Sequence, residues 1–334
     1  MDYDLSRALL STAFTRNISI DTIRAAAEGV YDVVVRTPIV PLLTEPGQPQ
    51  VYLKLETLQP IGSFKIRGAY NAVRHLAADQ LAAGVWTVSA GNAAQGVALA
   101  ARKRGVPCSV MVMDTAPDTK LRAIERLGAS IVRASYEECW QTVEQHGSDR
   151  MQGHFVHPFD DDLFISGNGT IGLEIVEDLP DVDAVIAPIG GGGLLAGIAY
   201  ALRDLSPNTL VYAAEPETAA PLAASFEAGE PKYFDGWKAS FVDGAGGKSV
   251  LASMWPLMQR FVAESLVVTL DDAARAMKIV ADRAHVIAEG AAACAVAAAL
   301  SPTMAERGHR KVLAVVSGGN IDLSRFAQLV GACR

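Results

Sequence analysis

The most informative segment of this chain is Lys54-Leu55-Glu56-Thr57-Leu58-Gln59-Pro60-Ile61-Gly62-Ser63-Phe64-Lys65-Ile66-Arg67-Gly68-Ala69. Apolar and polar side chains alternate from Val51 to Leu55, which predicts a β-strand. The pattern breaks at Pro60 and Gly62, and apolar residues then recur at helical spacing. The segment therefore predicts a strand, a turn and a helix that begins near Lys65.

Lys65 is notable because an aromatic and an aliphatic residue flank it at the predicted helix start. The positive end of the helix dipole and partial loss of hydration both lower the pKa of an amine in that position. A lysine with a lowered pKa supplies the free amine that covalent catalysis needs. A single lysine in a first helical turn is most often an ordinary surface residue. Only the residues around Lys65 can therefore indicate whether it is catalytic.

The run Lys-Leu-Glu-x-Leu-Gln-Pro-x-Gly-Ser-Phe-Lys-x-Arg-Gly-Ala resembles the lysine segment of the fold-type II pyridoxal-phosphate (PLP) enzymes, most closely their threonine dehydratase and serine racemase branch. The resemblance extends over about residues 20–330. In that family the lysine of Ser-Phe-Lys carries pyridoxal 5'-phosphate. The resemblance therefore implies that Lys65 holds the cofactor and is catalytic, that Phe64 packs on the cofactor ring, and that Ser63 contacts the substrate.

The chain has 334 residues, half of them hydrophobic, and a formal net charge of −8 with a pI near 5.3. This length supports a large core. An acidic surface argues against binding to nucleic acid or to an anionic membrane through bulk charge. The sequence contains no long apolar run and lacks the basic start and apolar core of a secretion signal. We therefore expect a cytoplasmic protein that binds a small molecule rather than nucleic acid or a membrane.

Beyond the lysine segment, short apolar strands alternate with helical patterns. Predicted strands cover Val85–Val88, Cys108–Met113 and Ser130–Arg133, then Ala184–Ile189, Leu210–Ala214, Leu266–Leu270 and Val312–Val316. Such alternation indicates parallel sheets covered by helices. No flexible linker separates the two series, so we expect an α/β fold of two interwoven, doubly wound open-sheet domains, which the resemblance identifies as tryptophan synthase β-like. The small domain is expected at residues 76–152, and the large PLP-binding domain at residues 1–75 and 153–334.

A run of four glycines follows the predicted strand Ala184–Ile189 and opens a helix. Glycines there expose backbone N–H groups at a helix N-terminus, which is a geometry that binds phosphate. The spacing also fits a dinucleotide site, because Glu215 ends the next strand 22 residues after Gly193, where a ribose-binding carboxylate would lie. NAD binding is therefore an alternative for this stretch alone. The resemblance instead assigns to the PLP phosphate the residues Gly190, Gly191, Gly192, Gly193 and Leu194.

A second polar loop reads Ser89-Ala90-Gly91-Asn92-Ala93-Ala94-Gln95, between a strand and a helix. Its hydroxyl, amide and backbone N–H groups could hold a carboxylate, whereas a plain helix cap needs only one of them. The loop resembles the family segment that grips the substrate carboxylate, whose asparagine also contacts the cofactor. The resemblance assigns to substrate binding the residues Ser89, Ala90, Gly91, Asn92, Ala93 and Gln95. It departs at Ala93, where many relatives have histidine.

Two further polar residues gain a role from the resemblance. Ser317 opens Ser317-Gly318-Gly319-Asn320 after a strand, which alone predicts only a strand exit; in the family this serine faces the cofactor's ring nitrogen. Glu289 lies in the apolar run 286–292, expected to be helical, where a buried carboxylate needs a partner or a raised pKa. The family has a glutamate close to the cofactor in a matching segment.

Metal and sulfur chemistry receive little support. Some relatives bind a divalent cation through a glutamate, a carbonyl four residues on and an aspartate two further; Glu215 and Ala219 match, but Pro221 replaces the aspartate, so no metal is expected. The four cysteines lack CxxC spacing, and Cys108 and Cys294 are expected as buried thiols. The histidines at 154 and 157 are expected to be structural, and the aspartates at 160–162 to form a solvated helix start.

The sequence is thus identified as a member of the PLP-dependent enzymes. The expected activity is that of a lyase, a dehydratase of the threonine or serine type, which converts a β-hydroxy amino acid to a 2-oxo acid and ammonia. A serine racemase-like enzyme, an NAD-dependent oxidoreductase and a catalytically silent binding protein of the same fold are the alternatives. The substrate could be threonine, serine or a bulkier 3-hydroxy amino acid. A homodimer is expected from the resemblance, and the sequence does not indicate any allosteric effector.

Overall fold

The computed structural model of the chain describes residues 16–45 and 47–333. The α-helices in these residues are α1 (Ile20–Val30), α2 (Lys65–Arg74), α3 (Ala78–Leu81), α4 (Asn92–Arg104), α5 (Asp118–Glu125), α6 (Tyr136–Gln145), α7 (Asp162–Asp178), α8 (Gly193–Leu205), α9 (Pro221–Ala228), α10 (Trp255–Phe261), α11 (Leu270–Ala284), α12 (Gly290–Leu300), α13 (Pro302–Glu306) and α14 (Leu323–Ala332). The strands are β1 (Ile39–Leu42), β2 (Gln50–Leu55), β3 (Val85–Val88), β4 (Cys108–Met113), β5 (Ser130–Ala134), β6 (His154–Phe155), β7 (Ala184–Pro188), β8 (Leu210–Pro216), β9 (Glu264–Val268) and β10 (Lys311–Val316).

The larger sheet contains six strands in the order β1-β2-β10-β7-β8-β9. Its edge strand β1 is antiparallel to β2, and the other neighbours are parallel. Side chains of β10 alternate between two hydrophobic cores: Leu313 and Val315 face the core that contains α7 and α8, and Val312 and Ala314 face the core that contains α11 and α12. The sheet is therefore buried on both faces, as parallel sheets almost always are.

The smaller sheet contains four parallel strands in the order β5-β4-β3-β6. Its helices α4 and α5 share a separate hydrophobic core with α2. The chain thus enters the larger sheet, builds the smaller one and then returns. The division into a small domain at 76–152 and a large domain stays a prediction; the smaller sheet takes its last strand from residues 154–155, just beyond that boundary.

The strand order places the predicted motifs together. In the larger sheet β10 lies between β2 and β7, so their carboxyl ends meet at one edge. Lys65 follows β2, Ser317 follows β10 and the glycines 190–193 follow β7. In open α/β sheets, ligands bind in the crevice outside the carboxyl ends of the strands, where the strand order switches. The topology therefore points to this crevice before any side chain is considered.

Several elements differ from the sequence expectation. Glu289 was expected inside a helix, but it is the N-cap residue of α12 with an extended backbone (φ −75°, ψ 168°). The strand expected at 266–270 ends at Val268, because Thr269 caps α11 by accepting a hydrogen bond from the backbone N–H of Asp272. The sequence of residues 1 to about 30 also predicts helices, with Ser19 as a possible cap. Ser19 does cap α1, because its side chain accepts a hydrogen bond from the backbone N–H of Thr22, whereas residues 1–15 lie outside the described residues.

Within the described part of the chain, no helix combines the length and apolar composition needed to span a bilayer.

Candidate active site

A cavity of about 390 Å³ lies in the crevice between the two sheets. It is lined at the carboxyl ends of β2, β3, β7 and β10 by segments of both sheets. The sequence-predicted residues that line it are Phe64, Lys65, Ser89, Ala90, Gly91, Asn92, Ala93, Gln95, Gly190, Gly191, Gly192, Gly193, Leu194, Glu289 and Ser317. Ser63 is not among the lining residues; it is fully buried next to the cavity, and its hydroxyl has no hydrogen-bond partner within the described residues.

Lys65 is the first residue of α2, as the sequence predicts. Its Nζ donates a hydrogen bond to the backbone carbonyl of Pro158 (2.7 Å) and lies 5.2 Å and 5.3 Å from the ring centres of Phe64 and Phe164. No carboxylate pairs with this amine in the part of the chain that the structure describes. Burial among these groups lowers the pKa of Lys65 to about 8. The structure thus leaves a larger fraction of this amine free near neutral pH than an ordinary lysine would have.

The loop that contains Lys65 is tied to the end of β10. The backbone N–H of Phe64 donates to the carbonyl of Ser317 (3.0 Å), and the N–H of Gly319 donates to the carbonyl of Gly62 (2.9 Å). Gly62 has a φ of +70°, a conformation that glycine adopts at little cost. These bonds hold two segments that are more than 250 residues apart in the chain against one another. Lys65 and Ser317 therefore line the same cavity.

The glycine run forms a tight turn that ends at the N-terminus of α8. Gly192 has a φ of +89°, and a Cβ on Gly191 would lie 2.1 Å from the ring of Phe159. A Cβ on Gly190 would lie 2.8 Å from the carbonyl oxygen of Gly244. These positions therefore require glycine. The first N–H groups of a helix have no partner within it, and Gly193 and Leu194 at the start of α8 line the cavity, which suits a phosphate.

The polar loop after β3 surrounds the opposite side of the cavity. Asn92 begins α4, and its Nδ2 donates to Oε1 of Glu289 (2.8 Å). Its Oδ1 accepts from Nδ2 of Asn320 (2.7 Å). The N–H of Gly91 donates to the hydroxyl of Ser89 (3.1 Å), so the loop is folded onto itself. Both sheets therefore contribute to one hydrogen-bonded wall of the site.

Glu289 is buried at 5% exposure and faces the same wall. Burial raises the pKa of its carboxyl to about 7, and the charge of Asp243 adds to the effect, while the hydrogen bond from Asn92 opposes it. The carboxyl can therefore gain or lose a proton near neutral pH. This is the raised pKa that the sequence predicts, although the residue caps a helix rather than lying inside one.

Sequence reasoning missed several lining residues. Lys120 of α5 forms an ion pair with Asp243 across the cavity, and both side chains are partly exposed. Pro158 and Phe159 contribute a backbone carbonyl to Lys65 and a ring against the glycine turn. No local pattern marks these four residues, because their position depends on tertiary packing. Asn320 could have been found, since it ends the Ser-Gly-Gly-Asn motif.

Glu215 does not reach the cavity. Its carboxylate accepts hydrogen bonds from the N–H groups of Leu222 and Ala223 (2.9 Å each) and from the hydroxyl of Ser265 (2.6 Å). It is 1% exposed and accepts hydrogen bonds from backbone N–H groups in the first turn of α9, which have no partner within the helix. This use of the carboxylate disfavours the ribose-binding role that an NAD site would need. The expectation that no divalent cation is required stays a prediction.

Comparison with known proteins agrees with this geometry. Residues 30–318 match the family model described as pyridoxal-phosphate dependent enzyme. The L-threonine ammonia-lyase of Thermotoga maritima is 38% identical over 321 residues, covering 94% of this chain and 78% of that protein.

Two solved structures give the same picture. Maize serine racemase superposes with a TM-score of 0.85 at 32% identity, covering 93% of this chain and 96% of that one. The processed threonine deaminase isoform 2 of Solanum lycopersicum gives a TM-score of 0.81 at 31% identity, covering 93% and 92%. The predicted fold class, a fold-type II α/β architecture, is confirmed.

Proposed function

The chain belongs to the family of pyridoxal-phosphate dependent enzymes, and we propose that it is an ammonia-lyase that converts a β-hydroxy amino acid to a 2-oxo acid and ammonia. The observation that carries this proposal is the amine of Lys65, which has a lowered pKa and lines the same cavity as the glycine turn and the loop that begins at Ser89. The relatives named as threonine ammonia-lyase and threonine deaminase support the same class of reaction.

The residues of the cavity fit PLP. The glycine turn and the N-terminus of α8 would hold the phosphate, Phe64 would pack on the ring, and Lys65 would be the attachment point. Ser317 would face the ring nitrogen, and Asn92 would contact the ring oxygen. When bound, PLP withdraws electrons from the substrate's α-carbon and makes its proton acidic.

The protein groups would then divide the work as follows. The loop from Ser89 to Gln95 binds the substrate carboxylate and orients the α-carbon. Lys65 removes the α-proton, because its lowered pKa leaves a fraction of the amine free near neutral pH. The electron pair of the broken Cα–H bond would form a Cα–Cβ double bond as the Cβ–O bond breaks, so that the α-proton and the β-hydroxyl leave in sum as one molecule of water. The resulting enamine would then take up one molecule of water and hydrolyse to the 2-oxo acid and ammonia.

Ser317 favours elimination over reactions that need a long-lived carbanion. A hydroxyl is a neutral partner and does not stabilise a protonated ring as a carboxylate would. Its position after β10 leaves it 2% exposed on the cavity wall. We therefore infer that the site suits rapid loss of a β-substituent.

Racemisation is the second candidate, because serine racemase is among the similar structures. Racemases of this family use a serine immediately before the Gly-Asn pair as a second proton donor on the opposite face. Ala90 occupies that position and has no exchangeable proton. One-base elimination stays available, whereas efficient two-sided proton transfer does not. We propose that the protein forms little D-enantiomer.

Spectroscopy, peptide mapping and product analysis of the purified protein together test the ammonia-lyase and racemase proposals. The purified protein should show a visible absorption band that borohydride abolishes, and peptide mapping should locate the reduced adduct on Lys65. Incubation with L-serine, L-threonine and 3-phenylserine should release ammonia and oxo acid in equal amounts. A colourless protein that binds NAD would contradict the proposal, and D-serine formed as fast as pyruvate would favour the racemase.

By this proposal the substrate is a β-hydroxy amino acid, and its side chain could be that of threonine, serine or a bulkier 3-hydroxy amino acid. We propose that the enzyme acts as a cytoplasmic homodimer without nucleic acid or membrane partners, in line with its acidic pI near 5.3. Light scattering of the purified protein measures the oligomeric state, and cell fractionation tests the location.

A further inference from the structure

One buried carboxylate behind the cavity lies outside the site described so far. Asp160 was expected to be solvated, but it is 3% exposed. It accepts hydrogen bonds from Nη2 of Arg16 (2.7 Å) and from the hydroxyl of Ser253 (2.6 Å), and Nε2 of His146 lies 3.1 Å from it. Burial alone would raise the pKa of Asp160, but the bonds from Ser253 and Arg16 keep it below its ordinary value. The carboxylate is therefore charged and fully engaged.

The partners of Asp160 come from three different parts of the fold. Arg16 precedes α1, His146 ends α6 beside the smaller sheet, and Ser253 precedes α10 near the glycine turn. Met254, next to Ser253, reaches within 3.3 Å of a Cβ placed on Gly192. Asp160 thus bonds to three segments that are far apart in the sequence, two of which also meet directly where Nη2 of Arg16 lies 3.5 Å from the sulfur of Met254.

The ring of His157 holds the backbone next to Asp160. The N–H groups of Asp160 and Phe159 donate to Nδ1 of His157 (2.7 Å and 3.3 Å), and Nε2 of His157 lies 3.2 Å from the carbonyl of Val143. Since Nδ1 accepts, Nε2 carries the proton and donates to Val143. Burial, with the charge of His146, lowers the pKa of His157 to about 3, so the ring stays neutral. The four-residue segment 157–160 is therefore held in a single conformation.

This segment supplies two contacts to the cavity. The carbonyl of Pro158 accepts the hydrogen bond from Nζ of Lys65 (2.7 Å). The ring and backbone of Phe159 support the glycine turn, since a Cβ on Gly193 would lie 2.6 Å from the carbonyl oxygen of Phe159. A shift of this segment would therefore move the amine and the phosphate turn together.

The same side chains could instead be taken for a metal site, because single ligand atoms of His146, His157 and Asp160 lie within 4.8 Å of one another. That arrangement is disfavoured. Both nitrogens of His157 are engaged in hydrogen bonds, and the guanidinium of Arg16 already neutralises Asp160. A metal ion at this position would have to displace the guanidinium of Arg16 from Asp160 and break the hydrogen bonds of His157.

We propose that Asp160 is a positioning residue for the cofactor site, which it acts on through the backbone of Pro158 and Phe159. This inference rests on the proposed function, because it presupposes that Lys65 and the glycine turn bind PLP. It does not place Asp160 in contact with substrate or cofactor. Its effect should therefore appear in cofactor affinity and in the spectrum of the bound cofactor rather than in chemistry alone.

The test uses the full chain, stripped of cofactor and titrated with PLP. Asp160→Asn keeps the shape of the side chain but removes its charge and one acceptor. We expect its Kd for PLP to rise about 10- to 100-fold, the effect of losing a hydrogen bond to a charged group. The pH midpoint of the visible band should also shift, because the carbonyl that contacts Nζ of Lys65 moves.

Asp162→Asn is the matched control. Asp162 contacts Arg16 (3.0 Å) and the N–H of Asn17 (2.6 Å) but not the segment 157–159. Its Kd for PLP should stay within about twofold of the wild type. Ser253→Ala and His146→Asn each remove one contact of Asp160 and should give intermediate increases; asparagine suits position 146, whose φ is +54°.

The outcomes separate the two proposals. A folded Asp160→Asn protein with wild-type Kd for PLP and an unshifted band would overturn the positioning role, as would an equal loss in Asp162→Asn. If Asp160→Asn does not fold, wild-type PLP binding in both Ser253→Ala and His146→Asn overturns it. A wild-type protein that does not bind PLP would overturn the proposed function instead.

Discussion

Lys54 and Lys65 lie on the same segment of the chain, and the structure surrounds them in opposite ways. Lys54 is completely buried and forms an ion pair with Glu174, while its Nζ also donates to the carbonyl of Thr37 (2.5 Å). Among residues 16–45 and 47–333, the Nζ of Lys65 has no carboxylate partner; it bonds to the carbonyl of Pro158 and lies near the rings of Phe64 and Phe164. A buried charge with partners supports the fold, whereas an amine without a carboxylate partner becomes available for chemistry.

The surroundings of Lys54 form a closed network. Arg67 donates to both carboxylate oxygens of Glu56 (2.8 Å each) and to those of Glu174 (2.6 Å and 3.0 Å). Tyr31 donates to Glu174 as well (2.7 Å). Burial alone would raise the pKa of Glu174, yet the charge of Arg67 holds it below its ordinary value. Because Arg67 lies in the first turn of α2, this network anchors the helix that presents Lys65.

The strongest test of the contrast is Lys65→Met, which removes the amine and keeps an apolar stem between the two phenylalanines. Loss of a general base alone costs on the order of 10²–10⁴ in rate, and loss of the attachment point adds to this. We therefore expect kcat for ammonia release to fall at least about 10³-fold. The thermal midpoint of the cofactor-free protein should not fall. Retained activity, or a cofactor adduct on another lysine, would refute the role of Lys65.

The same substitution at the other position should have the opposite effect. Lys54→Met leaves the carboxylate of Glu174 short of one partner in a site with no solvent. Breaking a buried ion pair on one side costs about 3–5 kcal/mol in the free energy of unfolding. Urea unfolding measures this loss, and the folded fraction should keep its kcat. The control is Lys278→Met, because the exposed pair of Lys278 with Asp282 should change stability by less than about 1 kcal/mol. Equal losses of stability in Lys54→Met and Lys278→Met would show that the buried ion pair of Lys54 stabilises the fold no more than an exposed pair does.

The free energy of unfolding should also report the lowered pKa of Lys65. The folded state releases its proton at about pH 8, and the unfolded chain releases it near its ordinary value of about 10.4. Between these values the unfolded state binds more protons, so stability rises with pH.

Accordingly, Lys65→Met should exceed the cofactor-free wild type in stability by about 1–3 kcal/mol at pH 7, and this gap should close toward pH 10. Urea unfolding at the two pH values measures it. A gap that does not change with pH would mean that the amine of Lys65 is not desolvated.

The sequence predicts the structure well where a short motif determines the local backbone conformation. The glycine run, the Ser-Phe-Lys turn and the order of strands and helices follow from local patterns, and they place most of the cavity. The ion pair of Lys120 with Asp243 and the support from Pro158 and Phe159 depend on packing between distant segments, which no local pattern encodes. Asp160 shows the limit most clearly, because a run of three aspartates reads as solvated although its first member is buried.

The smallest expected effect concerns the side of the cavity that faces the substrate. Ala93 lies in the first turn of α4, lines the cavity and is 4% exposed. The resemblance implies a histidine at this position in many relatives, so this chain lacks a ring and a hydrogen-bonding group at the proposed substrate site. Losing a donor weakens carboxylate binding by about 1–3 kcal/mol if its partner stays unpaired. The vacated space gains about 0.8 kcal/mol for each methylene of a larger substrate that it buries.

These two effects offset one another after three or four buried carbons, so we expect the wild type to prefer 3-phenylserine to serine. Ala93→His should reverse the ranking of kcat/KM by about tenfold, the equivalent of about 1.4 kcal/mol. Ala93→Ser is the control, since it adds a hydroxyl at the same position without a ring and should leave the ranking unchanged. A wild type that prefers serine, or a histidine variant with the same ranking, would show that Ala93 does not set substrate size. Unlike Lys54 and Lys65, Ala93 carries no charge, so in the wild type this position acts on the substrate through the shape of the cavity.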